Sequence, residues 1–173
     1  MTGPPPAERP ALALRHPTEG DQPRLVTVVD EWIGGRHVRH LLVRAWFRHV
    51  ASTSWIAEDD RGGPIGLVIA YASQDLPDEG VIHLIGVHPG HRRRGIGRAL
   101  IESSLADLAA NGIGTVTALA WPGEPIATAF FRSVGFRADD GRGTQNLYGT
   151  PAYPDYEAPG EDRIVFVQRR GGG

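Results

Sequence analysis

The stretch that most constrains this chain runs from Ile82 to Leu100. An apolar run from Ile82 to Val87 stops before Pro89, and Arg92, Arg93 and Arg94 follow. Gly95-Ile96-Gly97 then leads into apolar residues at helical spacing: Ile96, Leu100, Ile101, Leu105 and Leu108. The pattern predicts a strand, a turn and the start of a helix. Glycines at such a turn let main chain approach a ligand closely. The free N–H groups of a helix's first turn, with cations beside them, favour a ligand that carries phosphates. The R-x-x-G-x-G element lacks the lysine and the length of a G-x-x-x-x-G-K-[ST] phosphate loop. It also lacks the third glycine of a dinucleotide fingerprint, since Leu100 stands near that place. Taken alone, it is equally explained by an ordinary strand-to-helix turn.

Composition narrows the classes further. A formal net charge of −2 argues against a general nucleic-acid binder, which carries a basic surplus. With no cysteine, the chain has no disulfide, thiolate zinc site or cysteine nucleophile, and no metal is called for. No run approaches the ~20 apolar residues of a membrane span, and the N-terminus lacks a signal-peptide core. A soluble, cytoplasmic protein is expected. At 173 residues a single domain over 11–170 is expected, after a disordered lead over 1–10 that holds Pro4, Pro5, Pro6 and Pro10.

In chain order, Leu12 and Leu14 mark a first short strand, and Pro17-Thr18-Glu19 opens a helix through about Trp32 that ends at Gly34-Gly35. A second helix carries Leu41, Leu42, Ala45, Trp46, His49 and Val50 on one stripe. Ser54 to Glu58 and Ile65 to Ser73 flank the hairpin signal Asp60-Arg61-Gly62-Gly63. The second of these runs is apolar throughout, as in a strand covered on both faces. After the strand with His83 and the helix from Gly95 come a strand from Val116 to Trp121 and a helix from Pro125 to Gly135. Phe136 to Ala138 and Ile164 to Val167 are the last strands, separated by a long polar loop, Thr144 to Asp162. The order β-α-α-β-β-β-α-β-α-β-β indicates an α/β (α+β) fold, a mixed sheet with helices on both faces.

A second element, Phe130-Phe131-Arg132-Ser133-Val134-Gly135-Phe136, is by itself no more than a helix that ends at a glycine. Together, IGVHPGHRRRGIGRAL and FFRSVGF, in this order and at this separation, resemble the GNAT N-acetyltransferase superfamily over about Ile82 to Phe136. The resemblance implies a mostly antiparallel sheet of about seven strands and acetyl-CoA as cosubstrate. It implies that the turn Arg92, Arg93, Arg94, Gly95, Ile96 and Gly97, with Arg98 behind it, cradles the pyrophosphate. Ile85, Gly86 and Val87 would pair with the pantetheine arm where the fourth and fifth strands splay apart, and Phe131 would lie beside the cofactor. His83 corresponds to a histidine assigned as a base in the arylalkylamine N-acetyltransferase branch, whereas His88 is expected to cap the turn.

The sequence departs from the family twice. The tyrosine that often protonates the departing thiolate falls at Phe131, and an asparagine common before the following helix falls at Glu124. Tyr148 is then the candidate acid. The acceptor walls would bring Trp32, Arg36, His37 and His40 on one side, and Tyr148, Tyr153, Asp155, Tyr156 and Glu157 on the other. Carboxylates and aromatics suit a cationic amine of a small molecule or peptide, and Arg36 with His37 suits an acceptor carboxylate. A non-catalytic acyl-CoA-binding or regulatory module is the alternative that Phe131 keeps open, as is an O-acetyltransferase or a user of longer acyl chains. Oligomeric state is not fixed by these residues, although dimers, and so a homodimer here, are common in the family.

Overall fold

The computed structural model describes residues 12–170, so the proline-rich lead expected over 1–10 lies outside the described residues. Seven strands form one twisted sheet in the order β1-β2-β3-β4-β5-β9-β6. In sequence these are β1 Ala13–Arg15, β2 Trp55–Glu58, β3 Pro64–Ala72, β4 Glu79–Val87, β5 Thr115–Ala120, β6 Arg137–Ala138 and β9 Ile164–Arg169. Every neighbouring pair is antiparallel except β4 and β5. The mixed, mostly antiparallel sheet is therefore the one expected.

Each face of the sheet carries its own apolar layer. Helix α4, Ile96–Ala110, and helix α5, Pro125–Ser133, cover one face. There Leu100, Ile101, Leu108 and Phe131 meet Val68, Ala70, Ile82 and Phe166. The short helices α1 Gln22–Val26, α2 Val29–Trp32 and α3 Arg44–His49 cover the other. There Leu25, Val29, Trp32 and Phe47 meet Ile56, Leu67, Ile69 and Leu84. Alternate residues of β3 feed both layers, which accounts for its unbroken apolar run. Gly66 and Gly80 let α4 ride close: a Cβ at either position would stand 3.0 Å from Leu100 or Leu108.

Three expectations need correction. The second helix, expected to carry Leu41 through Val50, is a 3-10 turn, Arg39–Leu41, and a separate helix α3, Arg44–His49. The single helix expected from Pro17 to Trp32 is a 3-10 turn followed by two helices, because Val26, Thr27, Val28 and Val29 are four β-branched residues in a row. Thr27 Oγ1 also bonds back to Arg24 C=O at 2.7 Å, which weakens the helix there. The polar stretch expected as a loop contains a hairpin, β7 Gln145–Leu147 and β8 Thr150–Ala152. Its two turn residues, Tyr148 at φ 52° and Gly149 at φ 80°, are both left-handed, as a two-residue hairpin turn demands. A tyrosine at such a place gives no turn signal in sequence.

Candidate active site

The turn before α4 is built to leave main-chain donors free. Gly95, at φ 82°, caps the helix with no side chain, and no acidic residue stands in its first turn. The first bond of the helix runs from Ala99 N–H to Gly95 C=O at 3.0 Å, so the N–H groups just before it have no intrahelical partner. Arg93, at φ 60°, is held in a left-handed conformation that costs a non-glycine residue ~1 kcal/mol or more. The four arginines divide their work. Arg92 donates to Val87 C=O at 3.2 Å and to Trp32 C=O at 2.8 Å, tying the turn to α2. Arg98 donates to Ser133 C=O at 2.8 Å and so ties α4 to α5. The side chains of Arg93 and Arg94 are exposed and, among the described residues, form no hydrogen bond or ion pair. Phe130 closes the turn from α5, 3.0 Å from where a Cβ of Gly97 would sit. His88 Nδ1 accepts Gly90 N–H at 3.0 Å, the cap expected of it.

Behind the turn the sheet opens. β4 and β5 pair only from Glu79–Thr115 to Ile82–Ala118, while β4 runs on to Val87 and β5 to Ala120. His88 N–H bonds Ile65 C=O on the β3 side at 2.9 Å. By the alternation of a strand, Val87 and Ile85 turn their amides the other way, into the gap. Gly86 lies on the α2 side, where a Cβ would crowd Trp32 and Ile33 at 3.3 Å.

A bulge sets His83. Ile69 pairs with Leu84 and Ala70 with Ile82, which leaves His83 as the extra residue. His83 therefore joins Leu84 on the face of α1–α3 instead of pointing away from it. Its ring lies 4.7 Å from Trp46 and 6.5 Å from Tyr71, while Trp46 stacks on Tyr71 at 5.4 Å. Nε2 stands 3.1 Å from Leu41 C=O. A carbonyl only accepts, so Nε2 carries the hydrogen and Nδ1 is the basic nitrogen of the neutral ring. Burial pushes the His83 pKa below its ordinary 6.5, partly opposed by the Leu41 bond and the charge of Glu157. The ring is thus neutral at pH 7. Burial and the charge of Glu79 push the Tyr71 phenol up, so it stays protonated.

The remaining residues of interest are dispersed. Trp32 is 3% exposed under Gly86, and Phe131 is 5% exposed, stacked on Phe166 at 5.1 Å with its ring in the core. Tyr148, 84% exposed at the hairpin tip, lies over Gly123 and lines a cavity of about 440 Å³ with Glu124, Thr128, Arg132 and Thr150. Tyr153 donates to Asp139 and packs 5.8 Å from Tyr156. His37 is exposed and stands 3.5 Å from Asp30, while Arg36 pairs with Glu124 at 2.7 Å. Sequence reasoning missed Trp46 and Tyr71 around His83, and Trp121 with Arg163 beside Arg36. A tyrosine inside the apolar run of β3 was the available signal.

A seven-stranded sheet that parts between its two parallel strands, with an arginine-flanked helix start at the parting, offers free main-chain donors beside an open strand edge, an arrangement suited to an extended ligand that carries phosphates. The Acetyltransferase (GNAT) family matches residues 24–136 of this chain, and the chain belongs to that family. Members of that family use acetyl-CoA. Over 114 residues, 66% of this chain and 58% of the relative, the sequence is 32% identical to L-2,4-diaminobutyric acid acetyltransferase of Nocardia farcinica. The enzyme of the same name in Streptomyces anulatus is 28% identical over 111 residues, 64% of this chain and 63% of that protein. The chain thus matches less than two thirds of the length of either relative. Diaminobutyrate acetyltransferase from Paenibacillus lautus, solved with L-2,4-diaminobutyric acid and coenzyme A, shares the fold at a TM-score of 0.66. That structure is 16% identical, with 94% of this chain and 98% of that one covered. Among the described residues no helix is long and apolar enough to cross a membrane.

Proposed function

We propose that this chain is an acetyl-CoA-dependent N-acetyltransferase acting on a primary amine of a small molecule or peptide by direct attack in a ternary complex. The observation that carries it is the parting of β4 from β5 beside a turn of unpaired N–H groups. Acetyl-CoA supplies the acyl group there. The turn from Arg92 to Gly97, with Arg93 and Arg94 free to add charge, suits its phosphates. The amides of Ile85 and Val87, facing the gap, suit the pantetheine arm and the oxyanion.

His83 Nδ1 takes the proton of the attacking amine. The new C–N bond forms as the C–S bond breaks, and the sulfur leaves as thiol after gaining a proton. Tyr148 is the proposed donor of that proton; its phenol is solvent-accessible and stands beside Gly123, just past the end of β5. Arg36, His37, Tyr153 and Tyr156 are the proposed surroundings of the acceptor; Trp32, buried under Gly86, is not among them.

The test is thiol release from acetyl-CoA over a panel of amines, amino acids and peptides. Turnover with at least one amine is expected, together with a rise in melting temperature on adding acetyl-CoA. Absence of both at millimolar ligand would reject the proposal. A thermal shift without turnover on a broad panel would favour a binding module. Tyr148→Phe should lower kcat with little change in the acetyl-CoA shift, and an unchanged kcat would remove Tyr148 from the mechanism.

A further inference from the structure

Arg36 stands on a rigid support. The loop after α2 turns at Gly34 and Gly35, at φ 68° and 77°, and Asp30 clamps its far side. Asp30 Oδ1 accepts the N–H groups of Val38 and Arg39, each at 2.8 Å, and Oδ2 accepts Arg39 Nε at 2.8 Å. From this loop the Arg36 guanidinium lies over Trp121, 4.6 Å from the ring centroid. Its Nε and Nη2 donate to one oxygen, Glu124 Oε1, at 3.1 and 2.7 Å. Glu124 therefore occupies the side edge of the guanidinium. The terminal edge, Nη1 with the second hydrogen of Nη2, has no partner among the described residues, and the side chain is 38% exposed.

Arg163 makes the contrast. It lies 5.0 Å from the same indole, but Nη1 donates to Asp162 C=O and Nη2 to Glu161 Oε2, both at 2.8 Å, and its side chain is 12% exposed. Of the two guanidiniums over Trp121, Arg36 is the more exposed, and both donors of its terminal edge are left for a carboxylate. Trp121 packs on the apolar layer that holds Leu84, and Trp46, the neighbour of His83, packs on the same layer. Trp121 and Trp46 thus lie on one face of the sheet, with Arg36 over the first and His83 beside the second.

We propose that the acceptor is a small amine that also carries a carboxylate, and that the terminal edge of Arg36, aimed by Glu124 and Trp121, receives it. This rests on the acetyltransferase proposal above. It separates a free amino acid from a peptide N-terminus, whose neighbouring group is an uncharged amide.

The experiment compares amino-acid diamines with the amines left when their carboxylate is removed, such as 2,4-diaminobutyrate with 1,3-diaminopropane. The carboxylated member should lead by at least tenfold in kcat/KM. Arg36→Gln should bring that ratio near one, chiefly through KM, and Arg36→Lys should restore part of it. The acetyl-CoA thermal shift of each variant reports whether fold and donor site survive. A ratio near or below one in the unaltered protein, or an equal loss on both amines in Arg36→Gln, would overturn the inference. Should no amine turn over, the acetyltransferase reading fails by itself. Titration of the amino acids into the acetyl-CoA-loaded protein then decides: a Kd weakened at least tenfold by Arg36→Gln sustains the carboxylate site, and no binding rejects it.

Discussion

At the scale of single residues, His83 is the most testable. Its position on an apolar strand was legible in the sequence, but its direction was not, because strict alternation would have placed it on the opposite face from Leu84. The bulge reverses this, and no residue in the pattern announces a bulge. His83→Ala should remove most of kcat/KM at pH 7, with partial recovery at higher pH as the amine loses its own proton; an unchanged pH profile would exclude the base role. The lowered pKa has a second consequence, for stability. Below pH 6.5 the unfolded chain binds a proton that the folded ring resists, so stability should fall as pH drops through that value. Denaturant titrations of the unaltered protein and of His83→Phe between pH 5 and pH 8 would show it as a slope that the variant lacks.

At the scale of elements, the turn before α4 is the proposed donor site. Its residues were legible in full, since arginines, glycines and an apolar heptad-like run mark it without help from distant parts of the chain. Gly95→Ala isolates the backbone contribution, because a Cβ there meets nothing within 4 Å and only the φ of 82° opposes it. A loss of about 1 kcal/mol of stability is expected, with a weaker acetyl-CoA thermal shift. Equal stability and an equal shift would show that the left-handed turn is not required. The helical layer over the other face was less legible. Its breaks depend on four consecutive β-branched residues competing with helix propensity, and its 3-10 turns on contacts with the sheet. The hairpin at Tyr148 was hidden for a related reason: its left-handed tyrosine is tolerated by the tertiary fold and not by local preference.

At the scale of the whole molecule, the sheet separates two apolar layers, and one ion-pair cluster fastens the edge strand β1 to β2 and to the 3-10 turn Glu19–Asp21. Arg15 donates to both oxygens of Asp21 at 2.8 and 2.7 Å and to Glu58 of β2 at 2.8 Å. The Arg15 bond, with help from Thr18, lowers the Asp21 carboxyl from 3.8 to about 2. Its stabilisation is complete above pH 3.8 and is lost as pH falls towards 2. Asp21→Asn should cost on the order of 2 kcal/mol at neutral pH and flatten the acid limb of the stability curve. An unaltered acid limb would show that the cluster is ornamental. None of these partners was apparent from spacing, since Arg15 and Glu58 are joined only by the β1–β2 pairing. The parting of β4 and β5 also has a kinetic consequence. The acceptor is proposed to meet His83 and Arg36 at a sheet whose gap is still open, and an extended donor pairing along Ile85 and Val87 would fill it. An ordered sequence follows, with donor first and acceptor second, and free CoA should then compete with acetyl-CoA but not with the amine.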